Sequence, residues 1–207
     1  GGAGMLQALG ARFYDDEAQI VDMRKGADLI KYIRRIDLSG VHPQLAKVNI
    51  QLMSDFSSRL YGKKSEIMQT YESLDLSQNE AAEIDNLIWY FSELFKNELK
   101  IAMGPIERGG AGGGIAAVLN SLYQAEILTS HELVNQITHL ENLIQQADLI
   151  IFGEGLKEED QILETTTIRI AELTQQYNKP AIAICATNDK FDLFESLNVT
   201  AMFNTFI

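Results

Sequence analysis

The sequence predicts an α/β protein with a mixed-to-parallel sheet and flanking helices. Three observations carry this. In the last third, short apolar runs at Leu149 to Phe152, Ala181 to Cys185 and Ala201 to Phe203 alternate with amphipathic stretches of helical length. Those runs contain almost no polar interruption, which is the pattern of parallel strands covered by helices on both faces. Two capping-box patterns, Ser77-Gln78-Asn79-Glu80 and Thr129-Ser130-His131-Glu132, each open a segment with apolar residues three and four apart.

Taken in order, Gly1 to Gly10 reads as a glycine-rich turn entering a short helix, with Met5, Leu6, Leu9 and Phe13 on one stripe. Ile36-Asp37-Leu38-Ser39-Gly40 reads as a strand ending in a turn, and Val48 to Met53 alternates as a half-buried strand does. A helix follows Ser77 with Ile84, Leu87, Ile88, Phe91, Leu94 and Phe95 on its apolar face, and a strand is expected over Leu99 to Met103. Ile115 to Tyr123 reads as an apolar helix. Another helix is expected from Thr129 to near Ala147. The last third then alternates strand, helix at 161–177, strand, short helix at Phe191 to Leu197, and strand. A division into lobes at 1–146 and 147–207 follows from where that alternation begins.

The chain has 207 residues, 46% of them apolar, enough for one good core or two modest ones. No apolar run approaches the roughly 18 residues of a membrane span, so no membrane partner is expected. A formal net charge of −12 repels phosphate backbones, which removes nucleic acid as a partner. Cys185 has no cysteine to pair with and sits in an apolar run, so it reads as a buried thiol in a reducing, cytoplasmic setting. The start at Gly1-Gly2-Ala3-Gly4 and the apolar end at Met202 to Ile207 suggest part of something longer, with an unpaired sheet edge that favours a homo-oligomer.

Gly109-Gly110-Ala111-Gly112-Gly113-Gly114 is the sharpest chemical feature. Without Cβ atoms, such a loop can turn several N–H groups onto an oxyanion, and the helix behind it adds partial positive charge. Arg108 could add a forked donor. The alternative is a close-packed turn, and the absence of a Gly-Lys-Ser/Thr ending excludes the common P-loop. Gly153-Glu154-Gly155 follows a strand at its carboxyl end, where open α/β sheets place ligands. Asp55 follows the strand ending at Met53, as a ligand-orienting carboxylate or a turn residue. His42, His131 and His139 have no partner at metal-ligand spacing, so no metal site built from protein ligands is expected. Arg34-Arg35 and Lys63-Lys64 read as solvated pairs.

The run GGAGMLQALGA at Gly1 to Ala11 resembles the second half of the signature of the glycerate kinase family, which phosphorylates D-glycerate with ATP. Further similarities keep the family's order: Ile36 to Gly40 with Pro43 and Leu45; Asp55 with Leu60 and Gly62; the glycine loop with Ala125-Glu126; Ala147-Asp148-Leu149-Ile150 into Gly153-Glu154-Gly155; and Lys179-Pro180-Ala181-Ile182. The resemblance implies part of a two-lobe α/β fold, with ATP and Mg²⁺ as cofactors and glycerate as substrate. It implies Asp55 and Glu154 as catalytic carboxylates. Gly1, Gly2, Arg108, Gly109, Gly110, Gly112, Gly113, Gly114, Gly153 and Gly155 would contact substrate or phosphate.

The departures are as specific. In the family, Gly-Glu-Gly is followed by Arg, Asp and Gln and later by Gly-Lys; Leu156, Glu158, Asp160 and Glu164-Thr165 stand here. Ser58-Arg59 replaces an Asn-Pro, 70–75 lacks the glycines and lysine of a Phe-Gly-Pro-Gln-Lys-Gly run, and the Thr-Asn-Asp that precedes the signature is not in this chain. Lost cations weaken neutralisation of a transferring phosphoryl group. The rival expectation is therefore a degenerate homologue or fragment that binds a small carboxylate or nucleotide and by itself shows no kinase activity.

Overall fold

The computed structural model describes residues 1–154, 166–186 and 191–205. The chain forms two compact units, Gly1–Ile127 and Leu128–Ile207. The sequence placed this boundary after residue 146. The helices between belong with the second unit, where the Tyr177 hydroxyl donates to the Glu141 carboxylate and the Ser130 and Thr166 hydroxyls lie 3.2 Å apart.

In the first unit, α1 (Ala3–Ala8) leads into β1 (Arg12–Tyr14), which pairs antiparallel with β2 (Arg35–Asp37) so that Phe13 faces Ile36. Phe13 thus belongs to a strand that the helical stripe did not predict. Three 3-10 turns, Met23–Lys25, Ala27–Tyr32 and Pro43–Lys47, carry the chain around β2 to β3 (Gln51–Met53). Only the second half of the expected Val48 to Met53 strand is formed. Next come α2 (Glu66–Thr70), α3 (Gln78–Leu99), α4 (Ala111–Tyr123) and β4 (Glu126–Leu128). β4 pairs with β3, and the Glu126 N–H donates to the Ile50 carbonyl at 3.0 Å.

The long helix α3 organises this unit. Its start is the predicted capping box: the Glu80 N–H donates to Ser77 Oγ, and the Glu80 carboxylate accepts from the Ser77 N–H at 2.8 Å. Satisfying two otherwise orphaned donors stabilises a helix start by about 1 kcal/mol. Phe91 and Phe95 are fully buried and meet edge to face at 5.1 Å, and Phe13 meets Phe91 at 5.8 Å. Leu6, Ile33, Leu60, Met103 and Val118 complete the core. The helix runs to Leu99 and ends at Lys100 with φ 61°, so the strand expected over Leu99 to Met103 is absent. That apolar run is a helix end plus one core anchor, Met103. Arg34 is not simply solvated either: it donates to the Lys31 and Ile33 carbonyls and to the Tyr90 hydroxyl, while Arg35 lies over the Tyr14 ring at 4.0 Å.

The second unit holds α5 (Ser130–Thr138), α6 (Leu140–Gln146), β5 (Ile150–Glu154), α7 (Thr166–Gln176), β6 (Ala181–Cys185), α8 (Phe191–Ser196) and β7 (Ala201–Asn204). The helix expected to run to Ala147 breaks at His139, which adopts φ 53°. Asn135 explains the break: its carbonyl caps α5 through the His139 N–H, and its Oδ1 accepts from the Glu141 N–H in the first turn of α6. The strands form a parallel sheet in the order β5-β6-β7, with Phe152 opposite Ala183 and Ile184 opposite Phe203. One face buries Phe152, Ala181, Ala183 and Cys185 against Ile168, Ala171, Phe194 and Val199. The expectation of two covered faces fails on the other side, where Ile151, Ile184 and Phe203 are 60, 40 and 58% exposed.

Candidate functional site: a glycine-lined cradle

Three glycines start α4 in a conformation that side chains resist. Gly112, Gly113 and Gly114 have φ of 62°, 65° and 99°, a left-handed run inside a nominally right-handed helix. Each such residue costs about 1–2 kcal/mol when it carries a Cβ. The run closes through the Gly114 N–H, which donates to the Gly110 carbonyl at 3.1 Å. Gly112 and Gly113 are exposed, and a Cβ built on Gly113 would meet nothing within 4 Å. The sequence foresaw a glycine loop before a helix, but not this handedness.

The loop is seated on the segment between β3 and α2. The Gly110 N–H donates to the Ser58 carbonyl at 3.2 Å, and a Cβ there would lie 2.2 Å from the Arg59 carbonyl oxygen. That approach leaves room only for hydrogen at Gly110. Arg59 fastens the same segment to the residues before the loop: its backbone N–H donates to the Lys64 carbonyl at 2.8 Å, and its guanidinium reaches the Pro105 carbonyl at 3.0 Å and Glu107 at 3.7 Å. From α3, Asp85 takes the Gly62 N–H on both oxygens at 3.0 and 2.8 Å and the Ser65 hydroxyl at 2.5 Å. Ser65 in turn caps α2. Asp85 and Arg59 are thus supports that sequence reasoning missed, because their partners lie 20 to 46 residues away.

Gly1 and Gly2 come to the same place. A Cβ on Gly114 would stand 2.9 Å from Gly1 Cα, and one on Gly2 would stand 3.2 Å from the Gly114 carbonyl oxygen. The start of α1 therefore lies against the glycine run. The first matched motif also meets the second: a Cβ on Gly10 would lie 2.2 Å from the Gly40 carbonyl oxygen. Within that second motif, Asp37 accepts from the Ser39 N–H at 2.8 Å, and the hydrogen bonding to Ser39 holds its carboxyl below the ordinary value.

The other expected site residues are placed less closely. Arg108 is half-buried just before the loop, with φ 54°. Asp55 stands exposed in the stretch after β3, three positions before the buried Ser58. Gly153 and Glu154 end β5 in the other unit, paired with Ile184 and Cys185 at the carboxyl edge of the parallel sheet. Gly155 lies outside the described residues, as do Leu156, Glu158, Asp160, Glu164 and Thr165. Among the described residues no three His, Cys, Asp or Glu side chains cluster as metal ligands.

An oxyanion fits against Gly112 and Gly113, because both are exposed and neither brings side-chain bulk, while the Gly114 N–H is used within the loop. A Mg²⁺ ion carried by phosphates needs only one or two protein carboxylates. Asp55 is the carboxylate of the first unit that the sequence places for this.

These features define an α/β protein with an exposed, left-handed glycine run at the start of a helix. Comparison with known proteins makes the assignment specific: the glycerate kinase family model matches residues 1–206, and the chain belongs to that family. It is 31% identical over 187 residues to a glycerate kinase of Halalkalibacterium halodurans, covering 90% of this chain and 49% of that one. It is 28% identical to glycerate 2-kinase of Escherichia coli, covering 99% and 53%. A crystal structure assigned as glycerate kinase 2 of Salmonella typhimurium LT2 superposes with a TM-score of 0.79 at 28% identity, over 98% of this chain and 52% of the other. The chain spans about half the length of these relatives.

Proposed function

We propose that this chain serves the ATP-dependent phosphorylation of a hydroxyl of D-glycerate, in the cytoplasm, and that its part is to hold phosphate oxygens on the glycine cradle. The observation that carries this is the left-handed run Gly112 to Gly114 set against Gly1 and Gly2, a backbone-only surface in a chain of this family. Backbone donors fixed before the substrate arrives stabilise developing charge without reorganising, which is the largest single contribution in many such sites. Asp55 in the first unit and Glu154 in the second are the carboxylates to which the family resemblance assigns catalytic roles. When bound, Mg²⁺ would neutralise phosphate charge.

A second reading is favoured by particular residues. Leu156 and Thr165 stand where the family has Arg and Lys, and Glu158 to Asp160 add negative charge. Losing one charged donor costs about 3 kcal/mol of transition-state stabilisation, roughly a hundredfold in rate. On this reading the 207-residue chain binds nucleotide and does not turn over by itself. A coupled assay with ATP, Mg²⁺ and D-glycerate separates the two. Turnover of about one per second that disappears in Glu154→Ala supports catalysis by the chain; silence with retained ATP binding supports the degenerate reading.

A further inference from the structure

Two donors of the glycine run are already taken: the Gly114 N–H closes on the Gly110 carbonyl within the loop, and the Gly113 N–H is held by a side chain from elsewhere. The Gly113 N–H donates to Oε2 of Glu66 at 3.2 Å, across 47 residues of sequence. Glu66 is the first residue of α2, the short helix that Ser65 caps and Asp85 anchors through Ser65 to α3. Its carboxylate therefore reaches the loop from a fixed base. A carboxylate on a backbone N–H stands in for a ligand oxyanion: it has the same charge sign, the same acceptor geometry and the same donor.

A second observation points to a ligand at this helix start. The Ser58 side chain is 1% exposed, and its Oγ has no hydrogen-bond partner among the described residues. That oxygen sits 2.8 Å from where a Cβ on Gly110, the residue capping α4, would lie. A buried hydroxyl left without a partner costs about 1–3 kcal/mol, and it persists in native proteins where something else repays it.

Resting on the phosphate-cradle reading, we propose that Glu66 is the resident occupant of the glycine cradle and sets its selectivity. A tethered carboxylate has an effective concentration in the millimolar range. Free monocarboxylates at ordinary concentrations do not displace it. A polyphosphate, with several oxygens and more than one charge, can take the Gly113 N–H only by expelling Glu66 against like-charge repulsion. Glu66 thus tightens the requirement for a multiply charged phosphate and weakens the binding of every simple oxyanion.

The test is a titration of the chain with inorganic pyrophosphate, followed through the backbone amide signals of Gly112, Gly113 and Gly114, for wild type, Glu66→Gln and Glu66→Ala. Glu66→Gln keeps the size and the acceptor oxygen, so it preserves the fold if the contact has a bracing role. Glu66→Ala is expected to half-saturate at about tenfold lower pyrophosphate than wild type, and Glu66→Gln to show a smaller gain in the same direction. Unchanged or weaker binding in both variants, with the glycine amides still responding, overturns the role of Glu66 and leaves the cradle standing. Glycine amides that respond in none of the three proteins overturn the cradle reading, and the inference falls with it.

Discussion

Gly114 and Gly1 meet with no room for a side chain between them: a Cβ on Gly114 would stand 2.9 Å from Gly1 Cα and 2.7 Å from Leu60 Cδ1. Gly113, one residue earlier, has the same left-handed backbone and open space around it. The pair separates backbone strain from crowding. Gly113→Ala is expected to cost about 1–2 kcal/mol from conformation alone, and Gly114→Ala roughly 2 kcal/mol more from overpacking. Urea unfolding of the two variants measures the difference, and equal costs would contradict the packing described.

Ser58→Ala should not destabilise the protein. The hydroxyl is buried without a partner among the described residues, so its removal is expected to be neutral or to stabilise by about 1 kcal/mol. A loss of stability in the same unfolding experiment would contradict the unpartnered state of this oxygen.

Phe91 joins the helix α3 to β1 through its edge contact with Phe13 and to its own next turn through Phe95. Phe91→Ala is expected to cost about 3–5 kcal/mol, the usual range for an aromatic truncated in a core. Trp89 lies on the same helix but is half exposed, and Trp89→Ala should cost far less. Thermal unfolding of the two proteins makes the comparison.

The Asp22 carboxyl is held at about 2, below its ordinary 3.8, chiefly by hydrogen bonds from the Arg24 side chain and N–H. A carboxyl whose folded value is depressed stabilises the fold above its unfolded value and loses that contribution as pH falls through the folded one. The window is therefore about pH 4 down to about pH 2. Asp22 is half-buried but its partner Arg24 is largely exposed to solvent, so the effect is small. Stability measured across that window should fall less steeply in Asp22→Asn than in wild type.

Much of the architecture was legible because it is written in local patterns. The capping box at Ser77 gave the start of α3, and the apolar run Ala181 to Cys185 is β6 without adjustment. Local patterns also misled. Leu99 to Met103 has the composition of a strand, yet the helix spends its last residue there and Met103 serves as a core anchor. The site was half legible for the same reason: a run of glycines announces itself, whereas Asp85 and Glu66 look like ordinary helix-surface acids. Their partners, Gly62 and Gly113, are 23 and 47 residues away, and only the folded chain brings them together. The break at His139 lay between these cases, since Asn135 is visible as a competitor for backbone groups but not as the one that wins.

A titration of the ¹⁵N-labelled chain with Mg²⁺-ATP tests most directly whether the glycine run is a phosphate cradle. Saturable shifts are expected at the amides of Gly112, Gly113 and Gly114, with the Gly113 N–H exchanging Glu66 for a phosphate oxygen, and larger than those at Ser77 to Glu80, where a capping box closes the helix start. Saturable ATP binding that leaves all three glycine amides unmoved would contradict it.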